Sequence, residues 1–288
     1  MTNHKEMVAI VTGATSGVGF ETALALAGAG MRVIALGRND ERIAGSSARI
    51  LSLVPEARMD WVNADFASLR QVAGASRRIL ELTDRIDVLV NNAGNQLDRR
   101  LMSGDGFEMT WQVNHLAPFL MTQQLLPRLS ERAGAQVITL SSIGHTMIPD
   151  MVWEDLQGQD SFSPLTAYCQ SKLANVLFTR ELARRSAESG LVASAVHPGL
   201  VASDFANKGG EHVRSYYAKA EEEGHALTAQ QGADTVIWLA LDDRRGNPSG
   251  GYFCERARVE PSSAALDEAS AQRLWTLSEQ QVAEYLEV

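Results

Sequence analysis

Short apolar segments alternate with longer amphipathic segments along almost the whole chain. Val8 to Val11 and Arg32 to Leu36 are apolar, and between them lie a glycine-containing turn and an Ala/Leu-rich stretch that ends near Gly30. Strand, turn, helix and strand within about 30 residues indicate a βαβ unit with parallel strands. The pattern recurs, with further strands predicted at Met59–Asn63, Val88–Val90, Val137–Leu140, Leu191–Val196 and Tyr252–Cys254.

The segments between these strands have the apolar repeat of helices. Because all seven strands have apolar centres, we predict an α/β fold: a Rossmann-type doubly wound sheet of about seven parallel strands with helices on both faces. Residues 1–288 would form one domain, with a loop over 143–164, a lid at about 202–224 and a C-terminal helical extension at about 266–286. The other predicted helices cover Glu41–Leu53, Leu69–Leu82, Phe107–Leu129, Tyr168 to about Ser189, and Ala229–Leu241.

Composition excludes several classes of function. The net charge of -9 disfavours nucleic acid and anionic lipid surfaces as partners. The two cysteines, Cys169 and Cys254, belong to no CxxC pair, and the six histidines lack metal-ligand spacing, so no metal site is expected. No apolar run approaches the roughly 20 residues that cross a bilayer, and the N-terminus leads directly into a strand. We therefore expect a cytoplasmic protein without a membrane anchor.

Glycines at positions 13, 17 and 19 lie where the first strand ends and the first helix begins. Residues without Cβ permit a tight turn and let the backbone approach a pyrophosphate held at the helix N-terminus. The spacing is GxxxGxG, and the residues of a P-loop do not follow it. A purely structural turn is the alternative, but the position in the first βαβ unit favours dinucleotide binding.

Residues after the next three strands also fit a dinucleotide. Gly37 and Arg38 follow the second strand, where an enzyme that uses NAD usually has an acid, so NADP(H) is preferred over NAD(H). Asp65 follows the third strand, where we expect it to meet the adenine, and Asn91-Asn92-Ala93-Gly94 follow the fourth. The alternatives are that Arg38 is only a surface charge and that the Asn-Asn-Ala-Gly segment is an ordinary loop.

Tyr168 and Lys172 lie four residues apart, so one face of a helix presents both the phenol and the ammonium. A nearby positive charge favours the phenolate and should bring the phenol pKa down from about 10 toward the working range. Such a pair also occurs by chance on solvated helices. Two further polar residues, Asn114 and Ser142, are predicted at the same edge of the sheet.

Together these motifs resemble the classical short-chain dehydrogenase/reductase family over nearly the whole chain. The segments Val113-Asn114-His115-Leu116, Ala167 to Leu177 and Arg273-Leu274-Trp275 are similar to the retinol-dehydrogenase-like branch. Ala117-Pro118 depart from the Gly-His usual in that branch.

The resemblance implies an NADP(H)-dependent oxidoreductase that interconverts a carbonyl compound and an alcohol. Tyr168 would be the acid/base, Ser142 rather than Ser141 would bind the oxyanion, Lys172 would lower the phenol pKa and bind the ribose, and Asn114 would hold a water. His197-Pro198-Gly199 resembles the family's nicotinamide-binding turn. The implied cofactor-binding set is Gly13, Thr15, Ser16, Gly17, Val18, Gly19, Arg38, Asp65, Phe66, Asn91, Ala93, Gly94, Tyr168, Lys172, Pro198, Gly199, Val201 and Ser203.

The substrate pocket is expected to be apolar and to involve 95–97, 143–153 and the lid. The residues named for it are Met147, Ile148, Met151, Trp153 and Phe205. In this family the helices over 107–129 and 173–182 often form a dimer interface, so a homodimer or homotetramer is a hypothesis. A non-catalytic NADP(H)-binding sensor or scaffold is the alternative function, and a serine hydrolase is disfavoured because no GxSxG occurs.

Overall fold

The computed structural model describes residues 4–202, 210–242 and 248–286. Within these ranges the strands form an eight-stranded sheet in the order β3-β2-β1-β4-β5-β6-β7-β8. The first seven strands of this order are parallel, and β8 pairs antiparallel with β7. The strands are β1 Val8–Val11, β2 Arg32–Gly37, β3 Arg58–Asn63, β4 Val88–Asn91, β5 Gln136–Leu140, β6 Val192–Val196, β7 Gly251–Cys254 and β8 Ala257–Val259.

Helices cover both faces of this sheet. One core lies between the sheet and helices α3, α5, α6 and α10, and a second lies between the sheet and α1, α2 and α8. The helices are α1 Gly17–Gly28, α2 Asp40–Leu53, α3 Leu69–Leu82, α4 Met109–Trp111, α5 Ala117–Ser130, α6 Pro164–Arg185, α7 Glu211–Glu222, α8 Ala229–Leu241, α9 Ser263–Leu266 and α10 Glu268–Leu286. None of those in the described ranges combines the length and apolarity needed to span a bilayer.

The predicted Rossmann-type sheet and its seven parallel strands are confirmed, but the eighth strand was missed. β8 follows a tight turn at Glu255 and Arg256, both of which have positive φ. All three of its residues are exposed, and it has no apolar centre. Strand prediction from apolar runs cannot detect such an edge strand, because exposed edges are kept short and charged.

The long helix predicted over 107–129 is interrupted. Its first turn, α4, begins at Met109 because the Glu108 carboxylate caps it by accepting the N–H of Trp111 at 2.8 Å. A π-helix, Gln112–Leu116, then separates α4 from α5. Pro118 is the second residue of α5, directly after the π-helix, and it has no N–H to donate to a carbonyl of that turn. The predicted helix is therefore interrupted at this π-helix, and π-bulges are frequent at functional sites.

The C-terminal helix α10 packs across α5 and α6. The Trp275 ring meets Phe119 edge-on with centroids 5.1 Å apart and stacks on Phe178 at 6.0 Å. Ser278 Oγ lies 2.8 Å from Nε2 of His115, a residue of the π-helix. The extension is thus bonded to the element that carries Asn114.

Candidate active site

Three of the four residues predicted to be catalytic meet at the carboxyl edge of the sheet. Ser142 follows β5, whereas Tyr168 and Lys172 lie one turn apart on α6, which begins with Pro164 after a Ser163 cap. The hydroxyl groups of Ser142 and Tyr168 are hydrogen-bonded. Lys172 Nζ lies 5.6 Å from the centroid of the Tyr168 ring.

The pKa of Tyr168 differs from the sequence-based expectation. Burial of the phenol raises its pKa above the ordinary 10.0, and the hydrogen bond with Ser142 acts in the opposite direction. Burial also lowers the pKa of Lys172 to about 8. The predicted lowering of the phenol pKa was therefore wrong for this structure, because burial of the phenol outweighs its hydrogen bond with Ser142.

Asn114 is close to the other three residues, and its side chain makes three hydrogen bonds within the protein. Its Oδ1 accepts the N–H of Asn95 at 2.8 Å, and its Nδ2 donates to Asn95 O at 2.8 Å and to Ser171 Oγ at 2.9 Å. A Cβ on Gly94 would lie 3.3 Å from Asn114 Oδ1 and 3.7 Å from Lys172 Nζ. Asn114 thus ties the loop after β4 to α6.

The choice between the two serines after β5 agrees with the geometry. Ser141 is buried, and its hydroxyl donates to the backbone carbonyl of Lys172 at 2.8 Å. Ser142 is partly exposed, and its Oγ accepts the N–H of Gly144 at 3.1 Å while facing Tyr168. Only Ser142 presents its hydroxyl to the cleft.

The glycine turn leaves backbone donors open at the start of α1. Gly13 and Gly17 have φ of +66° and +57°, and a Cβ on Gly19 would overlap Gly13 O and the side chain of Asn92. Ser16 makes no side-chain cap, and the first helical bond runs from the N–H of Phe20 to Ser16 O. The first-turn N–H groups therefore lie outside the helical ladder and suit an anion such as a pyrophosphate.

Asn92 fixes this turn and was left out of the predicted set. Its Nδ2 donates to Thr12 O at 2.7 Å and to Gly13 O at 3.3 Å, while Thr12 Oγ1 accepts the N–H groups of Asn92 and Ala93, both at 2.9 Å. The expectation for Asn91 needs correction. Its buried side chain donates to Thr122 Oγ1 at 3.0 Å within the core, so only its backbone could meet a cofactor.

The end of β2 explains why no acid stands there. A Cβ on Gly37 would lie 2.6 Å from Thr15 Cγ2 and 3.0 Å from Ile43 Cγ1, so a carboxylate side chain has no room. Arg38 is exposed, and its guanidinium lies 3.8 Å from Asp65 Oδ1. Both side chains remain accessible to a nucleotide. The side chain of Phe66 is buried in the core, so only its backbone could meet a cofactor.

Three predicted cofactor residues from distant parts of the chain converge on Gly232 of α8. A Cβ there would overlap a methyl group of Val201 and lie 3.2 Å from Val18 Cγ2 and 3.3 Å from Pro198 O. Gly199 has a φ of +86°, which favours glycine at this turn. The turn after β6 thus lies beside the start of α1. Ser203 lies outside the described residues.

The residues of the expected substrate side differ in exposure. Ile143 and Met147 are exposed apolar residues directly after Ser142. Trp153 is partly buried, and its ring centroid lies 4.4 Å from the Arg273 guanidinium. Met151 is buried in the core. Tyr217 of α7 is near enough to raise the pKa of Tyr168. Ile148 is partly buried against the core, and Phe205 lies outside the described residues.

Two histidines next to the site were not assigned a function from the sequence. His145 lies in a one-turn 3-10 helix directly after Ser142. His197 Nδ1 accepts the N–H groups of Ile143 at 3.3 Å and Gly199 at 3.4 Å, and burial lowers its pKa to about 4. In the sequence, His197 directly precedes Pro198-Gly199 and His145 lies three residues after Ser142. Neither belongs to a motif with a characteristic spacing, so the sequence alone assigns them no function. No group of three or more potential metal ligands occurs among the described residues.

Comparison with known proteins identifies the family. The short chain dehydrogenase family model matches residues 7–214. Mouse retinol dehydrogenase 13 is 37% identical over 275 residues, covering 93% of this chain and 81% of the relative.

Two solved structures are similar to this fold. A Mycobacterium paratuberculosis protein described as uncharacterized has a TM-score of 0.77 and 32% identity, covering 96% of this chain and 94% of that one. A Burkholderia cenocepacia short chain dehydrogenase in complex with NADP has a TM-score of 0.69 and 26% identity, and the match covers 87% of this chain and 96% of that one. The chain therefore belongs to the short-chain dehydrogenase family, in its retinol-dehydrogenase-like branch.

Proposed function

We propose that this protein is an NADP(H)-dependent oxidoreductase that interconverts a carbonyl compound and an alcohol, with Tyr168 as the acid/base. The observation that carries the proposal is the meeting of the Ser142 hydroxyl, the Tyr168 phenol and the Lys172 ammonium at the carboxyl edge of the sheet. This edge also holds the glycine turn with its open backbone donors. A binding protein would need the turn but not the three polar groups.

The nicotinamide cofactor would supply or accept the hydride when bound. Tyr168 would give its proton to the carbonyl oxygen during reduction and take it back during oxidation. The Ser142 hydroxyl would donate to the same oxygen, and this hydrogen bond strengthens as negative charge develops. Because burial raises the pKa of Tyr168, the phenol is protonated near pH 7, which is the form that reduction requires.

The preference for NADP(H) is supported by the end of β2. Gly37 leaves no room for a carboxylate that would bind ribose hydroxyls, and the exposed Arg38 can form a bidentate contact with a 2′-phosphate. The NADP complex of the Burkholderia relative agrees with this choice.

An apolar small molecule is the proposed substrate. Ile143 and Met147 are exposed beside Ser142, where solvent would be displaced by an apolar ligand. The relatives named retinol dehydrogenase point to the same class, since retinol is a long apolar alcohol.

The test is NADPH consumption over a panel of aldehydes, ketones, quinones, steroids and retinoids, with wild type and Tyr168→Phe compared. We expect the variant to bind NADPH normally and to lose about 10²- to 10⁴-fold in kcat, the usual range for a general acid. Tyr216→Phe, an exposed lid residue, is the matched control and should retain activity. If the wild-type protein binds NADPH normally but turns over no compound of the panel, the sensor or scaffold alternative is favoured. An unchanged kcat in Tyr168→Phe would refute the catalytic assignment.

A further inference from the structure

The side chain of His145 joins the loop after β5 to the C-terminal segment. It is fully buried, three residues after Ser142. Its Nδ1 lies 2.7 Å from the backbone carbonyl oxygen of Ser142, and its Nε2 lies 3.1 Å from the backbone nitrogen of Ser262. The imidazole packs on the Tyr252 ring, with centroids 4.8 Å apart. Ser262 directly precedes α9.

These two partners determine where the imidazole proton is. A backbone carbonyl can only accept, so Nδ1 must carry the hydrogen, and a backbone N–H can only donate, so Nε2 must present its lone pair. Only one neutral tautomer satisfies both bonds. Burial lowers the pKa of His145, which agrees with a neutral ring.

We propose that His145 is a positioning residue for Ser142, and that the N–H of Ser262 selects the tautomer that allows it. The inference rests on the proposed function, because it concerns the serine that would bind the reacting oxygen. The C-terminal segment thereby acts on the active site without touching the substrate.

The loop that carries Ser142 is held from two sides. His145 anchors the carbonyl of Ser142, and His197 accepts the next backbone N–H, that of Ile143. The N–H of Gly144 then directs the Ser142 hydroxyl at 3.1 Å. Without the first anchor, Ser142 O keeps only the backbone N–H of His145 at 3.1 Å, so the peptide that sets the direction of the Ser142 side chain is held less firmly. Misplacement of a reacting group by about 1 Å can cost roughly 10²-fold in rate.

Two substitutions separate the bonds of His145. The amide nitrogen of asparagine is as many bonds from Cα as Nδ1, so His145→Asn can keep the bond to Ser142. The amide of glutamine reaches as far as Nε2, so His145→Gln can keep only the bond to Ser262. Both variants lose packing against Tyr252 and should lose thermal stability to a similar extent.

The two variants should differ in turnover. We expect His145→Asn to retain kcat within about 3-fold and His145→Gln to lose about 10-fold or more, with KM and NADPH affinity little changed in both. A structural role alone would leave kcat per folded molecule equal in the two variants. Equal kcat values, at whatever level, would overturn the proposal.

A second pair of variants tests the backbone N–H of Ser262. This test remains informative even if the His145 variants do not fold. Ser262 has a φ of −59°, which proline adopts, so Ser262→Pro removes the N–H with little backbone change. Ser262→Ala is the matched control, since both variants lose the 3.4 Å cap from Ala265 N–H to Ser262 Oγ. We expect kcat of Ser262→Pro to be about 3- to 10-fold below that of Ser262→Ala at unchanged KM. Equal kcat values would contradict selection of the tautomer by Ser262.

The tautomer itself can be measured without any substrate. Two-bond ¹H–¹⁵N correlation spectra distinguish an imidazole protonated at Nδ1 from one protonated at Nε2, and the His145 signals are identified by their loss in His145→Asn. We expect the Nδ1–H pattern in wild type and in Ser262→Ala, and a shift toward Nε2–H in Ser262→Pro. An Nε2–H pattern in wild type would refute the proposal. Because this readout needs no turnover, it separates failure of the positioning role from failure of the proposed reaction.

Discussion

Replacement of Lys172 by methionine should inactivate the protein and stabilise it. The Lys172 side chain is buried, and burial lowers its pKa from 10.5 to about 8. At about 1.4 kcal/mol for each pKa unit, the ammonium at pH 7 costs the folded state about 3 kcal/mol. Methionine fills a similar volume without a charge.

The bond that is lost offsets only part of this gain. Lys172 Nζ donates to Leu140 O at 3.2 Å, but Leu140 O also accepts from Asn175 Nδ2 at 3.0 Å and keeps that partner in the variant. No buried carbonyl is left unpaired. We therefore expect Lys172→Met to raise the free energy of unfolding at pH 7 by about 1–3 kcal/mol while kcat falls by about 10²-fold or more.

The pH dependence provides an independent check. The folded pKa of Lys172 is lower than the unfolded one, so between about 8 and 10.5 the unfolded chain binds more protons at this site. Wild-type stability at this site should therefore rise with pH across that window, and the advantage of the variant should shrink. The contribution of Tyr168 to the pH dependence of stability has the opposite sign. Its raised pKa contributes stability below about pH 10 that is lost above that pH. Measurements should stop near pH 9.5.

Urea unfolding of wild type and Lys172→Met at pH 7, 8, 9 and 9.5 measures both quantities. Lys219→Met is the control, since Lys219 is exposed and its only described ion pair, with Glu223, is a surface contact at 3.7 Å. The control should change stability by less than about 0.5 kcal/mol at every pH. A variant that is less stable than wild type at pH 7 and has the same pH slope would refute the reasoning.

Three further predictions concern the cofactor site and the buried histidine. Arg38→Gln should weaken the binding of NADPH about 10-fold or more and the binding of NADH less than 3-fold, as measured by fluorescence titration. An equal effect on the two affinities would argue against the 2′-phosphate contact. Gly19→Ala should lower the free energy of unfolding in urea by about 3 kcal/mol or more, because the new Cβ has no space. Gly45→Ala should raise it by up to about 1 kcal/mol, because no atom lies within 4 Å of a Cβ at that position. Burial lowers the pKa of His115 to about 3, so its contribution to stability should be lost as pH falls from about 6.5 toward 3. His115→Phe should flatten this acid dependence of stability, measured by pH-jump unfolding. An unchanged slope of stability against pH would contradict the assignment.

The sequence predicted the features that depend on local pattern. Seven apolar strands, the glycine turn and the Tyr168–Lys172 spacing each follow from periodicity or from helix geometry, and the structure places Tyr168 and Lys172 as expected. Features that depend on neighbours distant in sequence were not predictable. The side chains of Asn91 and Phe66 face the core because of contacts with other elements, and the phenol pKa depends on enclosure that no motif encodes.

The oligomer hypothesis illustrates the same limit. The apolar faces of α5 and α6 are buried, but periodicity shows only that a face is covered and not what covers it. In the structure α10 of the same chain covers part of these helices, through Trp275 against Phe119 and Phe178. Since α10 also bonds to the π-helix through Ser278, it cannot leave without disturbing the element that carries Asn114. A homodimer or homotetramer of this chain would therefore have to form through a surface that leaves α10 in place.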